Sequence, residues 1–330
     1  MNDQKNTQGF WAALPRPFFA LAPMYDVTDA AFRRIIALHG KPDVMFTEFA
    51  SADGLCHPTG REKLSHHLLF SSQERPIVVQ LFGTTPQRFH DAARLCAERG
   101  FDGIDINMGC PEKNVCKNGS GAALIKNPSL AKEIIHATQE GARSLPVSVK
   151  TRSGYDKREE RERWFAELLD AHPAAITVHA RTRKEMSLVP AQWEDVAHVV
   201  RMRDAQCDDP SDILIVGNGD VRNLADAAEK ARTSGADGVM LGRAVFGNPW
   251  LFSPSGSDIS TEQRLQAMVE HTRLYERLFR GVKNFAIMKK HYKAYVAGFD
   301  GAPALCQRLM AATDATAVTA IVAAYHGKKA

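Results

Sequence analysis

The stretch DGIDINMGCPEK, residues 102 to 113, runs from an apolar, strand-like segment straight into a turn that carries a cysteine. Gly109 and Pro111 stop any continuing strand or helix. Cys110 therefore stands on a loop at the end of a strand, with the Asn107 amide beside it. Taken alone, such a cysteine is more often a small buried hydrophobe than a reactive group; the segments on either side decide between the two.

Working outward, the same unit recurs up to about residue 250: a short run rich in Val, Ile and Phe, then a longer segment of helical period. The runs are FFALAP (18 to 23), VMFTEF (44 to 49), PIVVQLFG (76 to 83), DGIDIN (102 to 107), PVSVKTR (146 to 152), AAITVHAR (174 to 181), ILIVGNG (213 to 219) and DGVMLGR (237 to 243). Eight repeats over about 250 residues are what a (β/α)8 TIM barrel requires. Thr85 with Pro86 reads as a helix start, and Gly40, Gly100 and Gly235 read as stops. After PSGSD (254 to 258) helical periodicity continues without strand signals. The expected organisation is an N-terminal extension (1–15), an α/β TIM barrel (16–254) and a small all-helical C-terminal domain (255–330).

The first ten residues are polar, and no stretch approaches the ~18 consecutive apolar residues of a membrane helix. A soluble, cytoplasmic protein is expected. The six cysteines form no C-x-x-C pair and no zinc-type cluster, so neither a disulfide framework nor a metal site is indicated. Charge is uneven: residues 256 to 330 hold 11 Lys+Arg against 6 Asp+Glu, while residues 1 to 255 hold 31 against 32. A tail of +5 fits a module that meets a polyanion, and equally a solvated helical face.

Polar and glycine residues collect at the C-terminal ends of the runs, which is the catalytic rim of a barrel. They include Pro23, Met24, Gln80, Asn107, Cys110, Lys150, Arg152, His179, Arg181, Asn218, Gly219, Asp220, Gly242 and Arg243. NGD (218 to 220) and GRA (242 to 244) have the chemistry of a phosphate cradle, with glycines that admit backbone N–H groups and an arginine for charge. Lys150 and His179, on neighbouring strands, suit the electron-rich N1 and O2 edge of a reduced flavin, and Gln80 suits the ring's pyrimidine edge.

In order along the chain, LAPMYDVTDAAFR (21 to 33), VVQLFG (78 to 83), DINMGCPEKNV (105 to 115), GSGAALIKNP (119 to 128), VKTRSGYD (149 to 156), TVHARTR (177 to 183), NGDV (218 to 221), DGVMLGRAVFGNPWLF (237 to 252) and MKKHYKAYVAGFDGA (288 to 302) resemble the bacterial tRNA-dihydrouridine synthases. The tail is most similar to the branch often labelled B. The resemblance implies an FMN-dependent oxidoreductase that uses NADPH to reduce the C5–C6 double bond of particular uridines in tRNA. It implies that Pro23, Met24 and Tyr25 lie along the flavin, that Gln80, Lys150 and His179 bond its ring, and that Asn218, Gly219, Asp220, Gly242 and Arg243 hold ribityl and phosphate. Cys110 falls on the family's proton donor. Tyr25 and Asp26 stand where the family often has smaller residues, and HAR replaces a frequent HGR at 179 to 181.

On this reading hydride passes from flavin N5 to C6 of uracil, a proton passes from Cys110 to C5, and Asn107 or a neighbouring backbone donor steadies the base carbonyl. The base leaves its stack to reach the flavin, so the barrel mouth is expected to be bordered by cations, with Lys113, Lys117, Arg152, Arg181 and Arg183 as candidates. In the tail, Lys289, Lys290, His291, Lys293 and Tyr295 are candidates for an RNA-contacting helical surface; the bland reading is an amphipathic helix with its tyrosines in the core. No membrane and no obligate protein partner is implied. Two other functions fit parts of the pattern: a flavin barrel acting on free pyrimidines, of dihydroorotate dehydrogenase type, and a tRNA-binding protein without turnover.

Overall fold

The computed structural model describes residues 8–253 and 259–327. Eight strands, β1 (Phe18–Leu21), β2 (Met45–Ser51), β3 (Ile77–Phe82), β4 (Gly103–Met108), β5 (Val147–Arg152), β6 (Ala175–His179), β7 (Leu214–Asn218) and β8 (Gly238–Leu241), form one sheet in the order β1-β8-β7-β6-β5-β4-β3-β2. Every pairing is parallel. A parallel bridge between Ala20 and Val44, with the Leu21 N–H donating to the Val44 carbonyl at 3.0 Å, joins β1 to the entry of β2 and closes the cylinder. The (β/α)8 barrel expected from the repeats is thus the architecture observed. Its strands read as apolar runs because both faces are covered: all residues of β4, β7 and β8 are buried.

Inside the cylinder, Phe18, Ala20, Phe46, Val78, Leu214, Val216 and Met240 form a packed core that also takes in Trp11. Trp11 is 1% exposed, stacks on Phe10 at 4.7 Å and tilts over Phe18 at 5.5 Å. Residues Gly9–Ala13 form a 3-10 turn tied by the Gln8 side-chain amide to the Ala174 carbonyl at 3.2 Å, just before β6. Residues 8–14, the described part of that end of the chain, therefore form a plug in the floor of the barrel, and the strand C-termini are left as the open mouth. A second, larger apolar layer lies between the sheet and the surrounding helices. The helix stops expected at Gly100 and Gly235 are real: both adopt left-handed φ, +78° and +74°, where a Cβ is unfavourable.

Beyond residue 258 the described residues are helical, with Thr261–Phe279, Met288–Tyr295, Ala302–Ala311 and Ala315–His326. Ser260 and Gln263 form a reciprocal capping box at the first start, and Asp314 caps the last. Leu265, Met268, Tyr275, Tyr292, Leu305, Leu309 and Val318 share a core that includes Ala30 and Ala31 of the Ala30–His39 helix. The helical segment is thus packed onto the helix after β1. The junction expected at 254–255 lies outside the described residues.

Candidate functional site

At the mouth, a cavity of about 700 Å3 is lined by Pro23, Met24, Lys150, His179, Asn218, Gly219, Asp220, Val221, Arg222, Gly242 and Arg243, with Ala22, Met240 and Ala244. Parallel pairing brings these groups together: Asn107 lies opposite Lys150, Arg152 opposite His179, and His179 opposite Asn218. Nine residues singled out from the sequence meet here: Pro23, Met24, Lys150, His179, Asn218, Gly219, Asp220, Gly242 and Arg243.

Lys150 donates from Nζ to the Asn218 Oδ1 at 3.0 Å, and Asn218 is held in turn by donating to the Met240 carbonyl at 2.8 Å. Burial, then the nearby Arg152 charge, pulls the Lys150 ammonium down to about 8, with Asp105 opposing. Burial and the charges of Arg152 and Lys150 hold His179 well below its ordinary value, so it is neutral at pH 7. Its Nδ1 is buried and has no partner among the described residues. A buried imidazole nitrogen without a partner, on the wall of a polar cavity beside a lysine, is the provision a ligand with ring acceptors or donors requires. Gly219 has φ +129°, and a Cβ there would stand 2.9 Å from that of Ala191; this position needs glycine.

Asp220 is less a ligand than a hub. It pairs with Arg243 at 2.6 Å and with Arg181, and accepts the Ala191 N–H at 2.9 Å. Its carboxylate aims the exposed Arg243 guanidinium at the cavity edge while an anion there would meet the arginine and the glycine N–H groups.

Cys110 is half-buried and does not line this cavity; it stands on the adjacent β4 turn. Asn107 Oδ1 accepts the N–H groups of Gly109 and Cys110 at 3.1 and 2.9 Å. Asn107 Nδ2 donates to Gln80 Oε1 at 3.0 Å, Gln80 Nε2 donates to Asp105 at 2.7 Å, and Ser148 Oγ donates to Asp105 at 2.6 Å. This chain of buried side chains across β3, β4 and β5 fixes the cysteine turn. Gln80 is fully buried, and its amide orients Asn107 from below. Asn107 thus supports the cysteine turn through Oδ1 and ties it to Gln80 through one N–H of Nδ2. Burial raises the Cys110 thiol above its ordinary value, the Glu112 N–H opposing, so the group is a thiol and not a thiolate at neutral pH. Tyr25 is 53% exposed and rests on Phe49 at 5.2 Å and His67 at 5.9 Å, outside the cavity lining.

Four expected RNA-contacting residues are interior. Arg152 is buried because its guanidinium ties three carbonyls, Gly109 at 2.8 Å and Thr182 and Met186 at 3.1 Å each. Arg181 is buried by its bond to the Val189 carbonyl at 2.6 Å and its pair with Asp220. His291 packs among Phe32, Phe246 and His271, and Tyr295 is wholly buried beside them. For these four, the expected surface placement is corrected: the arginines brace loops at the mouth and the two rings are core. Lys113, Lys117 and Lys293 are exposed, Lys289 and Lys290 are half-buried, and Arg183 lies over the Tyr155 ring at 5.3 Å.

Three arginines lie outside the residues expected to meet RNA. Arg273, Arg277 and Arg280 sit at helical spacing along one face of Thr261–Phe279, and at its end, and line a groove of about 690 Å3 against Thr316 and Thr319 of the last helix. Their i, i+4, i+7 spacing was the available signal.

A family profile described as dihydrouridine synthase (Dus) matches residues 20–327. A probable tRNA-dihydrouridine synthase of Staphylococcus aureus (strain COL) is 40% identical over 304 residues, 92% of this chain and 91% of its own. Probable tRNA-dihydrouridine synthase 2 of Bacillus subtilis (strain 168) is 38% identical over 323 residues, 98% of each chain. Among solved structures, a 2-naphthoyl-CoA reductase complex superposes with a TM-score of 0.54 at 11% identity, over 71% of this chain and 49% of that one. Morphinone reductase gives 0.51 at 12% identity, over 73% and 86%. The last two matches establish the fold. The profile and the sequence relatives go further: the chain belongs to the dihydrouridine synthase family.

Proposed function

We propose that this protein is a cytoplasmic tRNA-dihydrouridine synthase that holds FMN in the mouth cavity, draws electrons from NADPH and reduces the C5–C6 bond of particular uridines in tRNA. The observation that carries this reading is the meeting of Lys150, the unpartnered His179 Nδ1 and the Gly219/Arg243 cradle on one wall, beside the Cys110 turn. Lys150 and His179 would hold the flavin ring, and Gly219, Gly242 and Arg243 its phosphate. When bound, the flavin supplies a hydride to C6 of uracil. Cys110 then gives C5 its proton. Kept protonated by burial, the thiol meets an accumulating carbanion charge with an acid already in place. Arg152, bonded to the Gly109 carbonyl, steadies the turn on which that acid is carried.

The direct test follows the yellow absorbance of the purified protein. Anaerobic reduction by NADPH and reoxidation on adding tRNA unmodified at its uridines, with dihydrouridine appearing in the RNA, is the expected result. Reoxidation by orotate or free uracil alone, or a colourless protein with no turnover, would overturn the reading.

Two further outcomes are expected. Because Lys150 loses its charge near pH 8, whatever it contributes as a cation is present below that pH and lost above it. Turnover should therefore decline through about pH 8, ahead of the loss of the Cys110 proton, and Lys150→Met should remove that limb while lowering turnover throughout. The second concerns the groove: Arg273→Glu with Arg277→Glu should weaken tRNA binding about tenfold and reduce the slope of log affinity against log salt by about 2, with NADPH-dependent flavin reduction unchanged. Filter binding across a salt series reads both quantities.

A further inference from the structure

The turn after β1 carries Tyr25 and Asp26, and the second of these is held from outside the barrel. Asp26 has φ +55°, a left-handed conformation uncommon outside glycine, which aspartate is among the few side chains to adopt. Its N–H donates to Glu48 Oε1 at 2.6 Å, and its carboxylate stands 3.1 Å from Lys283 Nζ. Lys283 belongs to the helical segment, four residues past the end of Thr261–Phe279. Its ammonium enters the barrel side: it is 3.3 Å from both oxygens of Glu48 and 4.0 Å from Asp29, with its side chain only 5% exposed. His67 Nδ1 faces Glu48 from the other side at 3.4 Å, and Glu48 and Asp29 are buried. A lysine so enclosed by carboxylates is fixed in place, because each partner would otherwise be left as an uncompensated buried charge.

The same turn continues directly into the cavity. Met24 lines it, and the Met24 carbonyl accepts the N–H groups of Val27 and Thr28 at 3.0 and 2.9 Å. One face of a five-residue turn thus walls the cavity while the other is gripped by a side chain from the helical segment.

We propose that Lys283 is a positioning residue that holds the Pro23–Asp26 wall of the cavity in place from the helical segment, so that the element carrying the arginine groove and the wall of the reaction site move as one. The inference about turnover rests on the function proposed above; the mechanical link does not.

The test uses the full chain with Lys283→Met, Lys283→Arg and Asp26→Asn. Asparagine tolerates the left-handed conformation and leaves Lys283 paired with Glu48, so Asp26→Asn weakens the link from an ion pair to a neutral hydrogen bond without exposing a buried charge. Amide hydrogen exchange measured at Asp26, Val27 and Thr28 should quicken at least tenfold in Asp26→Asn and Lys283→Met and stay near wild type in Lys283→Arg, with amides of the Thr261–Phe279 helix unchanged in Asp26→Asn. In turnover, the first two should lose at least about fivefold in kcat with the KM for tRNA unchanged, and Lys283→Arg should recover most of it. Unaltered exchange in the turn would overturn the link. Faster exchange with wild-type kcat, or a loss confined to KM, would overturn its role in positioning. If the wild type itself gives no tRNA-dependent reoxidation, the proposed function fails while the exchange data still decide whether Lys283 holds the turn.

Discussion

Cys110→Ala will purify with its flavin and be reduced by NADPH at the wild-type rate, yet form dihydrouridine at least about a hundredfold more slowly, the range in which a positioned acid acts. The substitution is clean because the turn is held by backbone groups that alanine keeps. The residue-110 N–H still donates to Asn107 Oδ1 and its carbonyl still accepts from Ala122 at 3.0 Å. Only the sulfur is lost. Burial pushes the native thiol up, so below pH 8 it waits in its acid form, and the thiolate left by the transfer regains a proton from solvent between turnovers. Cys110→Ser separates acidity from shape: a hydroxyl is a far weaker acid and should restore little. Single-turnover oxidation of the reduced protein by tRNA, followed by mass spectrometry of the RNA, measures the effect. Wild-type rates in Cys110→Ala would remove this residue from the chemistry.

Asp105→Leu should cost about 3 kcal/mol of stability and lower turnover at least about tenfold, although the residue touches neither cavity nor substrate. It leaves two buried donors, Gln80 Nε2 and Ser148 Oγ, without their acceptor, and each unmet group of this kind costs about 1–3 kcal/mol. Freed from Asp105, Gln80 no longer fixes Asn107, and the N–H groups of Gly109 and Cys110 lose a fixed acceptor. Asp105→Asn should behave differently, because its amide still accepts from Gln80 and donates to the Ser148 hydroxyl.

That variant also carries two pH signatures. Burial raises the Asp105 carboxyl from 3.8 to about 6, against Ser148 and Gln80. A raised carboxyl favours the fold fully below its unfolded value and loses that contribution as pH rises through the folded one. Wild-type stability should therefore fall between about pH 4 and 6 by on the order of 2–3 kcal/mol from this residue. Asp29, raised to about 6 by burial and Glu48, titrates in the same window, so the Asp105 part is the difference between wild type and Asp105→Asn in urea melts. In addition, Asp105 helps keep Lys150 charged; without it the alkaline limb of turnover should move below pH 8. An unmoved limb would show that the two groups are independent.

The barrel was legible because parallel strands covered on both faces are written as unbroken apolar runs, and their polar ends mark the mouth. Nine of the rim residues converge on one cavity for that reason alone. What was not legible is the use each side chain makes of its polar atoms. Arg152 and Arg181 carry the charge of an RNA border, but their acceptors are carbonyls of Gly109, Thr182, Met186 and Val189 that come within reach only after folding. Gln80 and Asn107 have the right chemistry for a cofactor edge, and the bond between them is equally invisible in the sequence. His291 and Tyr295 lie on a helix whose lysines suggested a wet face, whereas aromatic packing around Phe32 claims them for the core. Lys283 escaped notice altogether: its partner Glu48 is 235 residues away in the chain, and no local pattern encodes such a pair.

Trp11 and the turn around it stopper the pole of the cylinder opposite the strand C-termini. A tether joined directly to Gln8, in place of residues 1–7, consequently leaves from the far hemisphere. Molecules immobilised by that end on a sensor chip or bead would all present the mouth outward to the solution, without a spacer and without masking the rim.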